Sequence, residues 1–333
     1  MFLHNPTNLG AIERRAIAFS SNLRFRQNMS KLSELRALVA RHAHDGVHSS
    51  TLDDLIFMSS RVPTEIQSTR ALGSVVEPAL ALVVQGKKRV VLADKVIDYG
   101  PGQYLVVSFE LPLSAQILRA SANEPFLAFS LTLKPAAIAS LLLETGSNDR
   151  GATDVSGIAL STATENLLDP LIRLLSLLDT QADVPVLRPG IEKEILWRLI
   201  NGEQAQMIRQ IGLADSRLTR IGRATRWIRD HYADSLQVEE LAQMIGMSVT
   251  SFHRHFRAVT MMSPVQYQKQ IRLQEARARL IAEEDDVAAV GFNVGYDSTS
   301  QFSREYSRLF GAPPGKDASR LKALAAHRES FSH

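Results

Sequence analysis

The chain has 333 residues, is 45% hydrophobic and 22% charged, carries a formal net charge of +3 and contains no cysteine. That length allows about two domains with a substantial core, and the missing cysteine excludes disulfides, thiolate metal sites and cysteine nucleophiles. No apolar run approaches the roughly 18 residues of a membrane span, and the first residues lack the order of a signal peptide, so a soluble cytoplasmic protein without membrane contact is expected.

Residues 1–28 read as a disordered extension or an upstream start, because Met29 opens the first good helical pattern, "MSKLSELRALVARHA". The following "RHAHDGVH" supplies His42, His44 and His48. Their position at a helix end and loop favours solvated rings over a metal site. Residues 52–133 read as short β segments separated by turn residues, a spacing that favours a sandwich or barrel. Within them, "QGKKRVV" places Lys87, Lys88 and Arg89 in an expected hairpin turn, and Asp94-Lys95 in another. The interval 75–133 has no histidine, so no metal and no cofactor is assigned to this region. Its apolar interior is the small-molecule pocket that the sequence offers.

Pro135 suits the first position of the helix "PAAIASLLLE", and Asp169-Pro170 reads as N-cap and first residue of "LIRLLSLLDT". The leucines of that second helix fit either a dimer seam or packing against the barrel. "QADVPVLRPG" (181–190) reads as a linker, and the pattern after it is helical. The boundaries expected are 29–185 for the β domain, 186–221 for a helical linker, 222–320 for a helical domain and 321–333 for a tail.

The helical part contains a repeat. Val238, Leu241, Ala242 and Ile245 recur as Val287, Val290, Gly291 and Val294 at an offset of 49. Ser248, Phe252, Arg254, Phe256 and Pro264 recur as Ser298, Phe302, Arg304, Tyr306 and Pro314 at an offset of 50. One supersecondary unit has been duplicated, with one extra residue in the second turn. In each copy a helix ends at a glycine (Gly246, Gly295), a serine caps a second helix, and aromatic residues line its inner face. The other face carries Thr250, His253, Arg254 and Arg257 in one copy, and Thr299, Ser300, Ser303, Arg304 and Arg308 in the other. These are donor types that reach base edges and phosphates. Residues 216–333 hold 17 Lys+Arg against 13 Asp+Glu, a mild excess that suits a polyanion. "SPVQYQKQIRLQEARARLIAEE" joins the copies as a helix roughly 27 Å long, which suits two recognition helices about one DNA turn apart. The acidic run 283–286 reads as a solvated turn.

Residues 222–315 resemble the DNA-binding domain of the AraC/XylS family of bacterial transcription regulators, most of all in "GYDSTSQFSREYSRLFGAPP". "EPALALVVQGKKRVVLADKVIDYGPGQYLVVS" is similar to a group in which a cupin-like β-barrel precedes that domain. The resemblance implies an α+β fold: an N-terminal cupin-like β-barrel with helices, then an all-α domain of two helix-turn-helix units joined by a linker helix. It implies sequence-specific binding of double-stranded promoter DNA, contact with RNA polymerase, and a barrel that senses a small-molecule effector or forms a homodimer. One departure is Met261, where the duplicate has Gly311 and the family a small residue; it puts the first unit's helix ending in question. The competing readings are a metal-independent cupin-type enzyme and a non-DNA interaction module. Among enzymes, a cupin oxygenase is disfavoured by the missing histidine cluster and a DNA-repair methyltransferase by the missing cysteine, and the outward arginines disfavour the interaction module, so no catalytic residue is named.

Overall fold

The computed structural model describes residues 28–66, 78–109, 111–146, 156–213, 216–282 and 286–329. The expected extension up to residue 27 and residues 283–285 of the acidic run lie outside these ranges.

Helix α1 (28–42) buries Leu35, Leu38 and Val39 and is tied to the body by an ion pair between Lys31 and Asp169. Strands β1 (Gly46–Ser49), β2 (Leu55–Ser60), β3 (Thr64–Ile66), β4 (Ala79–Gln85), β5 (Lys87–Leu92), β6 (Lys95–Tyr99), β7 (Gln103–Val107), β8 (Ser114–Arg119) and β9 (Phe126–Thr132) follow. Helix α2 (Pro135–Glu144) separates them from β10 (Ile158–Thr162). The strands form two antiparallel sheets, ordered β1-β2-β9-β4-β7-β10 and β3-β8-β5-β6. Alternation drives the folding here: Val90 and Leu92 of β5, Ile97 and Tyr99 of β6, and Ile117 of β8 are buried between the sheets. Met58 and Phe126 share the face that meets Lys88, whereas Phe57, Phe129, Leu80 and Leu82 lie on the opposite face of the larger sheet, where Phe57 meets His42 at the end of α1.

Several local expectations need correction. The first hairpin turns at Gly86, whose φ is +83° and whose added Cβ would lie 2.5 Å from the Arg119 carbonyl. Lys87–Arg89 therefore belong to a strand, and its alternation turns Lys88 inward (3% exposed), where Nζ lies 3.7 Å from Met58 Sδ. Arg89 faces out and pairs with Asp98, 2.6 Å apart. The next turn is Ala93-Asp94, one residue earlier than expected, with Ala93 at a φ of 52°. The histidines are not simply solvated: His42 Nε2 lies 3.1 Å from Asp179 Oδ1, and the His44 and His48 rings are 5.1 Å apart.

Pro135 does occupy the start of α2. Helix α3 (Glu165–Ser176), however, begins upstream of Asp169, after an extended N-cap at Thr164, and so holds Pro170 inside. Burial of Leu167 and Leu168 favours that earlier start. At the sixth helical position the proline costs both the bond that its missing N–H would make and the crowding of its ring against the Asn166 carbonyl. Leu167, Leu168, Leu171, Ile172, Leu174 and Leu175 are all buried within this chain. They pack against α4 (Val184–Ile200) and the β domain, which leaves no free leucine seam on α3. The segment 181–190 is likewise no open linker: a 3₁₀ turn at Gln181–Asp183 runs directly into α4.

After α5 (Ala205–Gly212) the chain is helical. Its elements are α6 (Arg217–Asp230), α7 (Val238–Met244), α8 (Val249–Thr260), α9 (Pro264–Ala282), α10 (Val287–Asn293), α11 (Thr299–Phe310) and α12 (Pro314–Glu329). Residues 321–329, expected as tail, continue α12. Two buried clusters result. The first runs without a break from the β domain through α6, α7 and α8 to Tyr267 and Ile271 of α9. The second takes Leu273, Ala276 and Leu280 of α9 with Val290, Phe302, Tyr306 and Ala318. Helix α9 thus changes core between Ile271 and Leu273.

Candidate nucleic-acid interface

The duplication is exact at the level of helix ends. Helix α10 repeats α7 at an offset of 49 at both ends, and α11 repeats α8 at an offset of 50. The extra residue falls in the turn. Gly246 and Gly295 take φ values of +67° and +91°, the left-handed region that glycine adopts freely. At Gly295 an added Cβ would lie 2.3 Å from the Ala233 carbonyl, so that turn also needs the missing side chain. Gly291 plays a different part, because its Cβ would meet the Phe302 ring at 3.0 Å, and α10 and α11 pack through that gap.

Both second helices are capped alike. Ser248 Oγ accepts from the Ser251 N–H at 3.3 Å, and Ser298 Oγ from the Gln301 N–H at 3.4 Å. Their inner faces are fully buried at Phe252, Phe256, Phe302 and Tyr306. Both end in a left-handed residue, Met261 (φ 62°) and Gly311 (φ 75°), whose N–H groups each reach a helix carbonyl at 2.9 Å. Methionine therefore takes the glycine geometry at a conformational cost, and the first unit ends its helix as the second does.

The outward face follows from helical spacing. On α8, Thr250, His253, Arg254 and Arg257 recur at i, i+3, i+4 and i+7, and all are exposed. Arg254 Nη2 lies 3.3 Å from His255 Nε2, and His255 itself turns inward and is buried. On α11, Ser300, Arg304 and Arg308 are exposed, whereas Thr299 and Ser303 are half-buried at the edge of that face. Arg308 corresponds to Ala258, so the two faces share the arginine at 254 and 304 but differ beside it. Such faces offer hydrogen-bond donors and positive charge to a groove about as wide as a helix.

Sequence reasoning missed the groups that hold these faces in place. Glu305 accepts from Lys269 Nζ at 2.8 Å, Tyr296 Oη at 2.9 Å and Gln301 Nε2 at 3.2 Å, fixing α11 to α9. Burial alone would raise its carboxyl pKa, but these three donors hold it below the usual value. Arg220 Nη1 donates to the Gly246 carbonyl at 3.3 Å, pinning the first turn to α6. Gln268 Nε2 donates to the Tyr232 and Asp234 carbonyls at 3.1 and 2.8 Å. Most of these acceptors are backbone oxygens, which no residue pattern announces.

Among the described residues, no group of three or more His, Asp or Glu side chains is arranged to hold a metal ion, and no helix is long and apolar enough to cross a membrane.

Residues 52–207 match the family described as AraC-type transcriptional regulator N-terminus, and residues 241–320 match the helix-turn-helix domain. The transcriptional activator RhaS of Escherichia fergusonii is 30% identical over 105 residues, covering 30% of this chain and 38% of that protein. RhaS of Klebsiella pneumoniae is 29% identical over 104 residues, covering 30% and 37%. The chain thus spans under half the length of these relatives. Among solved structures, ToxT of Vibrio cholerae aligns over 79% of this chain and 95% of its own, with 8% identity and a TM-score of 0.48.

Proposed function

The chain belongs to the AraC family of transcription regulators, and from that we propose that it binds double-stranded promoter DNA through α8 and α11 and controls transcription there. The observation that carries this reading is the pair of matched helices, each with a buried aromatic inner face and an exposed outer face bearing Arg254 or Arg304. In it, Thr250, His253, Arg254 and Arg257 meet one major groove, and Thr299, Ser300, Ser303, Arg304 and Arg308 meet the next. Helix α9 spans roughly 28 Å at 1.5 Å per residue, close to one turn of DNA. The domain limits 29–185, 186–221 and 222–320 are part of the same proposal.

The relatives that match are transcriptional activators, which supports a non-catalytic, cytoplasmic regulator that works with RNA polymerase. The N-terminal domain is proposed to answer a small-molecule effector or to mediate homodimerisation. Binding of the full chain to fragments of its own promoter region, followed by fluorescence anisotropy across a salt series, tests the reading. Affinity should favour one fragment over scrambled DNA and fall steeply with salt as phosphate contacts release counterions. Equal, weak binding to every fragment would contradict it.

A further inference from the structure

The two helix-turn-helix units are seated differently, and the difference lies at the C-terminal end of their second helices. Val259, near the end of α8, is buried (4% exposed), whereas its counterpart at an offset of 50, Leu309 of α11, is 41% exposed. The residue just before β10 covers Val259: the Gly157 N–H donates to the Val259 carbonyl at 2.9 Å. That carbonyl is one of the last four of α8, which the helix itself leaves without a donor. A Cβ on Gly157 would lie 2.8 Å from the same oxygen and 3.3 Å from Val259 Cγ1, so only glycine lets the two chains come this close.

The β domain holds Gly157 firmly in that place. Its carbonyl accepts from the Ser108 N–H and from Ser108 Oγ, each at 3.0 Å, which ties it to the end of β7. Gln270 Nε2 donates to the Pro112 carbonyl at 3.0 Å, from the half of α9 that belongs to the first buried cluster. That cluster is continuous across the seam, while the second draws no β-domain residue among the described residues. Helix α11 is held instead by α9 and α12, through Glu305 with Lys269 and Tyr306 with Asp317. The β domain thus touches α8 directly and reaches α11 only through α9. Thr250, His253, Arg254 and Arg257 stay exposed, so the seam seats α8 without covering its outer face.

We infer that Gly157, held by Ser108, is a positioning residue for α8 and not for α11, so that the β domain sets how one of the two helices meets DNA and leaves the other alone. A displacement of β7 or β10 passes to α8 through the Val259 carbonyl, while α11 stays where α9 and α12 hold it. The two half-sites of one DNA site then differ in kind: one depends on the β domain and the other does not. The half-site consequence rests on the DNA-binding reading; the seating of α8 does not.

The test uses the full chain and two substitutions on the β-domain side. Gly157→Ala drives a Cβ into the Val259 carbonyl, and Ser108→Ala removes one of the two donors that hold Gly157. Hydrogen exchange without DNA comes first. Amides of the C-terminal half of α8 should exchange about tenfold faster in Gly157→Ala, and by a smaller factor in Ser108→Ala, with those of α11 unchanged. Footprinting on the chain's own promoter should then show the half-site that Arg254→Ala weakens losing about tenfold in affinity, as when one base contact is lost, and the other half-site unchanged. Equal changes in both helices, or in neither, overturn the inference. Altered exchange with both half-sites intact overturns it too, because the seating then does not govern binding. If the unaltered chain protects no specific site, the DNA-binding reading fails and the exchange measurement alone judges the seating. Thermal melts check both variants, and Ser108→Ala decides the matter if Gly157→Ala fails to fold.

Discussion

Arg272 Nη1 donates to the Gly295 carbonyl at 2.6 Å, joining the linker helix to the turn of the second helix-turn-helix unit. The same guanidinium donates from Nε to the Tyr232 carbonyl at 2.6 Å and from Nη2 to the Asp234 carbonyl at 2.9 Å, both just beyond α6 in the first unit. One side chain on α9 therefore grips both units, at the point where that helix passes from one buried cluster to the other.

Removing it should loosen the spacing of α8 and α11. Arg272→Ala leaves several carbonyls without their charged donor, and loss of hydrogen bonds to a charged group costs about 1–3 kcal/mol. Urea unfolding is expected to show that loss. Arg272→Lys should recover only part of it, since an ammonium cannot span acceptors on two sides.

Asp317 anchors α12 beneath α11. It is fully buried, pairs with Arg277 at 2.7 Å and Arg320 at 2.9 Å, and accepts from Tyr306 Oη at 3.0 Å. Burial would raise its pKa, yet the arginines hold the carboxyl below 3.8. A depressed carboxyl stabilises the fold above the unfolded value, and that contribution disappears as pH falls through the folded one. Asp317→Ala should cost about 3–5 kcal/mol near neutral pH by stranding Arg277. The gap between wild type and variant should narrow below about pH 4. Chemical denaturation at pH 7 and pH 3 measures both.

Met261 holds a φ of 62° where Gly311 sits in the other copy. A left-handed methionine costs about 1–2 kcal/mol, and the extra unfolded freedom of glycine takes back about 0.5–1. Met261 also packs, half-buried, against the first core, so Met261→Gly should gain less than that difference, whereas Gly311→Met, where an added Cβ meets nothing, should lose about 0.5–1 kcal/mol in a denaturation midpoint.

Lys88 is buried with no acidic partner among the described residues, and desolvation pushes its amine down to about 8. The unfolded chain then binds the extra proton between about pH 8 and the ordinary lysine value near 10.4, so wild-type stability should rise across that window. Lys88→Met removes the penalty and should stabilise by about 1–3 kcal/mol at pH 7. It should also flatten the rise, as thermal melts from pH 7 to 10 would show.

The parts of this fold that were legible in the sequence are those with a repeating local cause. The glycine turns, serine caps and inward aromatics of the two helical units recur at fixed offsets, and each follows from backbone geometry. Pro135 was readable because a helix start tolerates its missing N–H. Pro170 misled for the same reason: the proline rule marks a permitted start, while burial of Leu167 and Leu168 sets the real one. Lys88 was misread because three basic residues beside a glycine resemble a solvated turn, and only strand alternation turns the middle one inward. Arg272, Gln268 and Arg220 act on backbone carbonyls brought close by tertiary packing, so no spacing could have pointed to them.

Hydroxyl-radical footprinting of the full chain on its own promoter, alongside Arg254→Ala and Arg304→Ala, measures the central proposal directly. Two helices held by α9 on one side of a duplex predict two protected half-sites about ten base pairs apart. Each variant should weaken one half-site, by about 1–3 kcal/mol with relaxed preference at one position if its arginine reads a base. Loss of the same half-site in both variants, or unchanged protection and sequence preference in both, would contradict the account.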